Sequence, residues 1–232
     1  MNFLEIANRI KRKCRITGAA MTSVSTTQAE EFARVVDWAN ESWMIIQRKR
    51  PDWKWMRQTM SFPTVAGQAT YTLAQIQSTG TNFSNFGHWE LDTFRNYPTA
   101  TGQSAEMLMK DPMPYNTWLD IYQYGTNRTT QQRPSEFTVI PGNGIGLGPT
   151  PAAGYTITGD YFKVPTEMSV IADEPGMPAE FHMAIVYRAM MLYGVSESAP
   201  EIYDEGAASF KAIMAELENH QLPTLEEPGA LA

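Results

Sequence analysis

Cysteine is nearly missing from this chain: Cys14 is the single one among 232 residues. One thiol excludes an internal disulfide and any cysteine-based zinc site, and it fits a protein made in a reducing cytoplasm. Histidine is scarce too. His88, His182 and His220 are the only three, and none stands in a metal-ligand spacing such as His-x-x-x-His. There is no Gly-x-Ser-x-Gly nucleophile turn. Gly142, Gly144, Gly146 and Gly148 alternate strictly, which misses the dinucleotide fingerprint, and no Lys-Ser/Thr pair follows to make a phosphate loop. A glycine-rich hairpin is the better reading of that run. No stretch approaches the roughly 18 apolar residues of a membrane span. Charged residues make up only 19% of the chain, which leaves much of the surface polar but uncharged, as at surfaces that meet other subunits. No catalytic constellation, cofactor or metal is expected; the chain reads as an assembly part rather than an enzyme.

What is present is ample apolar material and an uneven charge. Hydrophobic residues are 43% and aromatics 11%, enough for a packed core in one domain or two small ones. The net charge of −7 hides a gradient along the chain. Residues 1–60 hold 11 Lys/Arg against 6 Asp/Glu, whereas residues 167–232 hold 2 against 12. Either these are solvated helix faces of different sign, or they are complementary surfaces that steer neighbouring copies together.

The order of elements sets the fold class. Phe3, Ala7, Ile10 and Cys14 recur at helical spacing, with Arg9, Lys11, Arg12, Lys13 and Arg15 on the other faces, in a helix expected to end near Gly18. Thr27-Gln28-Ala29-Glu30 offers a capping box for a second helix, whose buried stripe is Phe32, Val35, Val36, Ala39, Trp43 and Ile46 and which Pro51 ends. From Thr59 the pattern turns to strands. Residues 61–64 and 69–73 flank Val65-Ala66-Gly67-Gln68 as a hairpin, and His88–Asp92, Trp118–Tyr122, Phe137–Ile140, Gly144–Leu147 and Tyr155–Tyr161 read as further strands, with a short helix or turn at Ala105–Lys110. Two helices close the chain: one opened by Pro178 with Phe181, Ile185, Ala189 and Leu192 inward, the other opened by Ser198-Ala199-Pro200-Glu201 with Tyr203, Ala207, Phe210, Met214 and Leu217 inward. Neither helical pair can bury a core alone. The expectation is an α+β chain: residues 1–58 and 171–222 form one helical bundle, interrupted at residues 59–170 by an inserted antiparallel β sandwich or barrel-like domain, with an extended tail at residues 223–232.

Few side chains carry a functional reading. Trp53 and Trp55 beside Lys54 and Arg57 offer aromatic and basic groups to nucleic acid, but rings at a helix-to-strand junction more simply bury area. Cys14 sits on an apolar stripe and reads as a packing residue; His182, two residues after Glu180, reads as a cap or surface residue rather than a general base. Arg9, Lys11, Arg12, Lys13 and Arg15 could meet phosphates or an acidic neighbouring subunit. Pro223 to Ala232 has too little apolar surface to fold alone and could order on a partner.

A family resemblance emerges from several of these segments taken in order. They are Arg133-Pro134-Ser135-Glu136-Phe137-Thr138-Val139, Leu147-Gly148-Pro149-Thr150-Pro151, Pro178 to Tyr187, and the closing Asn219-His220-Gln221-Leu222-Pro223. With Asp37 to Trp43 and the Trp-rich exit Pro51 to Met56, they resemble the head-to-tail adaptor (connector) proteins of tailed bacteriophages, including the tail tubular protein A group. The resemblance implies a ring, commonly a dodecamer, beneath the portal, which connects the capsid to the tail or nozzle protein and lets DNA pass with only transient, non-specific contact. It implies a virion location at the head-tail junction and no membrane partner. It also implies that the tail docks on the portal protein through Leu222, Pro223, Leu225 and Leu231, with Glu226 and Glu227 facing basic portal residues. The alternative is a stand-alone phage- or host-directed binding module.

Overall fold

Capping chemistry fixes where the chain first becomes helical: the Asn2 side chain accepts from the Glu5 N–H at 2.9 Å while the Glu5 carboxylate accepts from the Asn2 N–H at 3.0 Å. The computed structural model describes residues 1–25, 30–110 and 112–221. In chain order its elements are α1 (Phe3–Lys13), α2 (Glu30–Lys49), β1 (Arg57–Pro63), β2 (Thr70–Tyr71), α3 (Leu73–Thr79), β3 (Phe86–Pro98), β4 (Met107–Leu108), α4 (Tyr115–Trp118), β5 (Gln131–Gln132), β6 (Glu136–Ile140), β7 (Gly144–Gly148), β8 (Thr150–Pro151), β9 (Tyr155–Lys163), α5 (Met183–Ser196) and α6 (Pro200–Gln221). The chain is thus mixed α and β. It divides into two units, one made of Met1–Met56 with the segment from Pro165 onward, the other of Arg57–Val164. Among the described residues no helix is long and apolar enough to cross a membrane.

In the first unit α5 is the hub. Ala184, Ile185, Val186, Ala189 and Met190 are all buried, and three consecutive positions among them cannot share one face, so the helix is covered on more than one side. α1, α2 and α6 each pack on it. α1 contributes Phe3, Ile6, Ala7 and Ile10; α2 contributes Val35, Val36, Ala39, Trp43 and Ile46. Two amides on α2, one heptad apart, hold the returning chain as a strand would: Asn40 exchanges paired hydrogen bonds with the Met168 backbone, both 3.0 Å, and Gln47 does so with Thr166 at 2.9 and 3.1 Å. Asp173 then ties that segment to α1, its carbonyl accepting from the Phe3 N–H at 2.8 Å.

Several expectations change in this unit. α1 stops at Lys13, not near Gly18, because Arg15 takes a left-handed φ of 58°. The proposed cap at Thr27 lies outside the described residues, though Glu30 does begin α2. Ser198 does not cap α6; it turns through a φ of 52° one residue before Ala199. Tyr203, expected inward, is 37% exposed; the first buried position of α6 is Gly206.

The second unit holds a four-stranded sheet in the order β1-β9-β3-β4, a three-stranded sheet β2-β7-β6, and a parallel two-residue pair β5-β8. Both larger sheets are antiparallel and share one buried cluster that includes Met60, Phe62, Phe94, Phe137, Ile145, Leu147, Ile157 and Tyr161. Phe94 on β3 stacks on Phe137 on β6 with ring centroids 4.6 Å apart, and Gly159 leaves room for that ring, since a Cβ there would meet Phe94 at 3.1 Å.

The hairpin expected between residues 61–64 and 69–73 does not form. Its turn exists, with Gly67 at φ 80°, but β1 pairs with β9 and β2 with β7. Thr64 donates its N–H to the Tyr155 carbonyl at 2.7 Å, which extends the β1–β9 ladder by one residue and keeps β1 on β9 up to the turn. Leu73 opens α3 rather than ending a strand, because Thr72 and Gln75 form a reciprocal cap. Trp118–Tyr122 is helical, not a strand: α4 runs on into a wider turn over Leu119–Gln123. The alternating glycines explain it. A Cβ on Gly146 would meet Trp118, and one on Gly148 would meet Tyr122; two rings four residues apart share one helix face and fill the strip those glycines leave bare. The glycine-rich hairpin itself is present as β6–β7, turning through Gly142 and Asn143 at φ 83° and 62°.

Candidate interaction surface

The five cations from Arg9 to Arg15, four on α1 and Arg15 just past its end, separate into distinct environments. Lys11 is buried at 3% exposure. Its ammonium donates to the Gly18 carbonyl at 2.8 Å and to that of Ala19, and lies 4.4 Å from the centre of the Phe32 ring. A cation with two carbonyl acceptors and an aromatic face is fully engaged, so Lys11 belongs to the loop closure and not to an outer basic face. Lys13 pairs with Glu205 at 2.9 Å. Arg9, Arg12 and Arg15 are exposed. Arg9 and Arg12 line an open groove on the outer side of α1 together with Met1, Leu4, Asn8 and Ala20.

The charge gradient along the sequence is in part neutralised inside this unit. Arg34 meets Glu197 at 2.7 Å, and Lys49 and Arg50 meet Glu218 at 3.0 and 3.7 Å. Each pair joins the basic opening segments to the acidic closing ones. All are partly exposed, so each is worth about 0–1 kcal/mol. The Lys13 ammonium, first through its hydrogen bond and then through its charge, holds the Glu205 carboxyl below the usual range, with Arg15 adding to the field. What the pairs leave over on α6 are Glu201 and Asp204 near its start and Glu216 further along, all exposed. Beside Glu201 and Asp204 the α5–α6 turn presents Val195, 71% exposed, with Gly194, Pro200 and Tyr203 around an apolar notch. Sequence reasoning missed this notch because Tyr203 fits the inward helical stripe and its exposure is set by packing against Gly194, which no local pattern reveals.

The remaining candidates are structural. Trp53 is fully buried and donates its indole N–H to the Ile46 carbonyl at 3.0 Å, and Trp55 stacks on it with centroids 4.3 Å apart; Trp53 is not available to a nucleotide base. Burial pushes the Cys14 thiol up to about 12, so it stays protonated and packs. The tail residues Leu222, Pro223, Leu225, Glu226, Glu227 and Leu231 lie outside the described residues. Among the described residues no three or more His, Cys, Asp or Glu are gathered so as to hold a metal ion.

His182 is neither a surface residue nor a side-chain cap: it occupies the position before α5 but is 2% exposed. Its ring bridges two backbone sites, Nε2 to the Met177 carbonyl at 3.0 Å and Nδ1 to the Met1 amine at 2.7 Å. Burial lowers its pKa below the ordinary 6.5, more than the Met177 bond raises it. The unfolded chain therefore takes up this proton more readily than the folded one. Stability present above pH 6.5 should be lost as pH falls through and below that value. Replacing His182 with Gln, which keeps a donor for Met177, should flatten the dependence of melting temperature on pH between about 7.5 and 5 relative to wild type. Parallel curves for the two proteins would show that His182 contributes nothing to acid sensitivity.

The family model described as SU10 adaptor protein matches residues 1–227. No curated protein sequence matches the chain.

Proposed function

This chain belongs to the SU10 adaptor protein family, and from that premise we propose that it is a structural head-to-tail adaptor of a bacteriophage virion. It forms a ring beneath the portal, connects the capsid to the tail or nozzle protein and lets DNA pass; by the resemblance of its segments to connector proteins, the ring has twelve copies. It is made in the host cytoplasm and resides at the head-tail junction. The family match over nearly the whole chain is the observation that carries this reading. The helical unit serves as one bundle, closed by the first and last quarters of the chain, with the β unit inserted in it as a sandwich.

Arg9, Arg12, Lys13 and Arg15 lie at a subunit boundary or along the DNA path, with Lys11 holding the loop behind them. A lumen should not bind passing DNA tightly, since a strong counterion-release term would hinder ejection, and exposed Arg9 and Arg12 on α1, with Arg15 just past its end, are compatible with that. The tail from Leu222 docks on the portal, Leu222 and Leu225 in apolar grooves and Glu226 and Glu227 against basic groups. Repetition around the ring turns a weak single contact into stable attachment.

Particles made without this chain test the reading. Packaged heads lacking tails, restored to tailed particles by the full chain, are the expected result. A chain ending at Leu222 should fold with unchanged melting temperature and yet fail to restore tails or to be retained on portal in a pull-down. Normally tailed particles in its absence would remove the adaptor role, whereas full rescue by the shortened chain would move the portal contact into the folded helical unit.

A further inference from the structure

Two exposed faces of the helical unit carry opposite charge around apolar floors. On α1, the side away from Phe3, Ile6 and Ile10 forms an open groove of about 590 Å³ in which Met1, Leu4 and Ala20 supply apolar surface and Arg9 and Arg12 the charge. Glu5 also lines this groove, but its carboxylate is engaged by the Asn2 N–H. At the α5–α6 turn the signs are reversed. Val195 and Tyr203 are exposed apolar side chains with Gly194 and Pro200 between them, and Glu201 and Asp204 stand exposed near the start of α6. The neighbouring carboxylates Glu197 and Glu205 are already held by Arg34 and Lys13. Among the described residues no ion pair takes Arg9, Arg12, Glu201 or Asp204.

The two faces are different patches of the unit. The α1 groove runs from Met1, whose amine contacts His182 just ahead of α5, to Arg12, next to the Lys13–Glu205 pair; the notch lies at the α5–α6 turn and is lined by no residue of α1. Different, complementary patches on one chain join copies head to tail, and such contacts propagate to a closed ring or an open filament, not to a two-fold dimer. An apolar centre with a charged rim is also the anatomy of a specific interface.

We propose that the α1 groove of one copy receives the α5–α6 notch of the next, with Arg9 and Arg12 facing Glu201 and Asp204 around Val195 and Tyr203. The inference rests on the ring reading above and gives it a polarity and a pair of surfaces. Opposed charges on a rim set association rate and register and are weakened by salt.

The test is a charge swap on the full chain, with assembly followed by sedimentation velocity at low and high salt. One variant carries Arg9→Glu and Arg12→Glu; the other carries Glu201→Arg and Asp204→Arg. All four positions are exposed, so both should keep the wild-type melting temperature. Each variant alone should self-associate at least tenfold more weakly than wild type at low salt. Mixed in equal amounts they should assemble again, because each then offers the other both a groove and a notch of matching sign. Rescue in the mixture is a readout that a merely structural role for these residues would not give. If wild type assembles and both variants assemble equally well alone, the contact is elsewhere and the proposal falls while the ring stands. A wild-type chain that stays monomeric at every concentration overturns both.

Discussion

A chain that stops at Met177 should lose the helix of α1 and α2 along with the helices it no longer has. α5 is the surface on which α1 and α2 bury themselves, and it carries Ile185, Val186, Ala189 and Met190 at the centre of the unit. Without it, Phe3, Ile6 and Ile10 on one helix and Val35, Trp43 and Ile46 on the other face water. An 11-residue helix such as α1 is marginal alone, because nucleation is costly and most helical stability in proteins comes from packing. The β unit should survive, since the buried cluster around Phe94, Phe137 and Ile157 is drawn entirely from residues within 57–164. Far-ultraviolet circular dichroism should then show helix falling well beyond the share of residues removed, with one cooperative transition left over. Native helicity and cooperative unfolding of the remaining helices would show that α1 and α2 do not depend on the end of the chain.

Gly206→Leu should be the most damaging single substitution in the helical unit. A Cβ at Gly206 would stand 2.9 Å from the Tyr187 carbonyl oxygen and 2.9 Å from the Met190 Cβ, so α5 and α6 touch there nearly backbone to backbone. A carbonyl oxygen in a helix cannot swing aside as a side-chain end can. Overpacking usually costs about 1–3 kcal/mol, and with two helix backbones forced apart about 3 kcal/mol or more is expected, lowering the melting temperature by roughly 6–12 °C. Gly206→Ala should fall between wild type and Gly206→Leu. An unchanged melting temperature for the leucine variant would mean the helices separate at this point without loss, and the hub role of α5 would have to be given up.

How far the sequence carries can be read from individual residues. Periodicity found Phe3, Ala7, Ile10 and Cys14, all of them buried, because a single amphipathic stripe is a local property of the chain. It failed at Tyr203, which shares the stripe's spacing but lies against Gly194 at the α5–α6 turn and is left 37% exposed. It failed at Trp118–Tyr122, where aromatic and β-branched residues favour a strand in isolation and the rings are claimed instead by the bare strip beside Gly146 and Gly148. Lys11 looked like its basic neighbours because burial of a lysine depends on carbonyls seven and eight residues away, which no composition count reveals. The turn at Gly67 was legible, but the partners of the strands either side of it were not; pairing is decided by which ladder is open, and here β9 and β7 took them. The Arg9 and Arg12 face was visible as a charge cluster, while its acidic counterpart came into view only after the internal ion pairs had been assigned.

The long-range closure of the helical unit has a consequence in time. Ribosomes add about 5–20 residues per second, so the apolar stripe of α1 emerges many seconds before α5 and α6, on which its burial and its ion pair to Glu205 depend. The β unit, complete within residues 57–164, can fold on the way. The first helices therefore wait, uncovered, for the last ones, and loop-closure entropy must be met before those contacts form. A half-made chain has neither a packed α1 groove nor an α5–α6 notch. If copies join through these surfaces as proposed, nascent chains crowded on one message would be kept from linking before α6 is complete at Gln221.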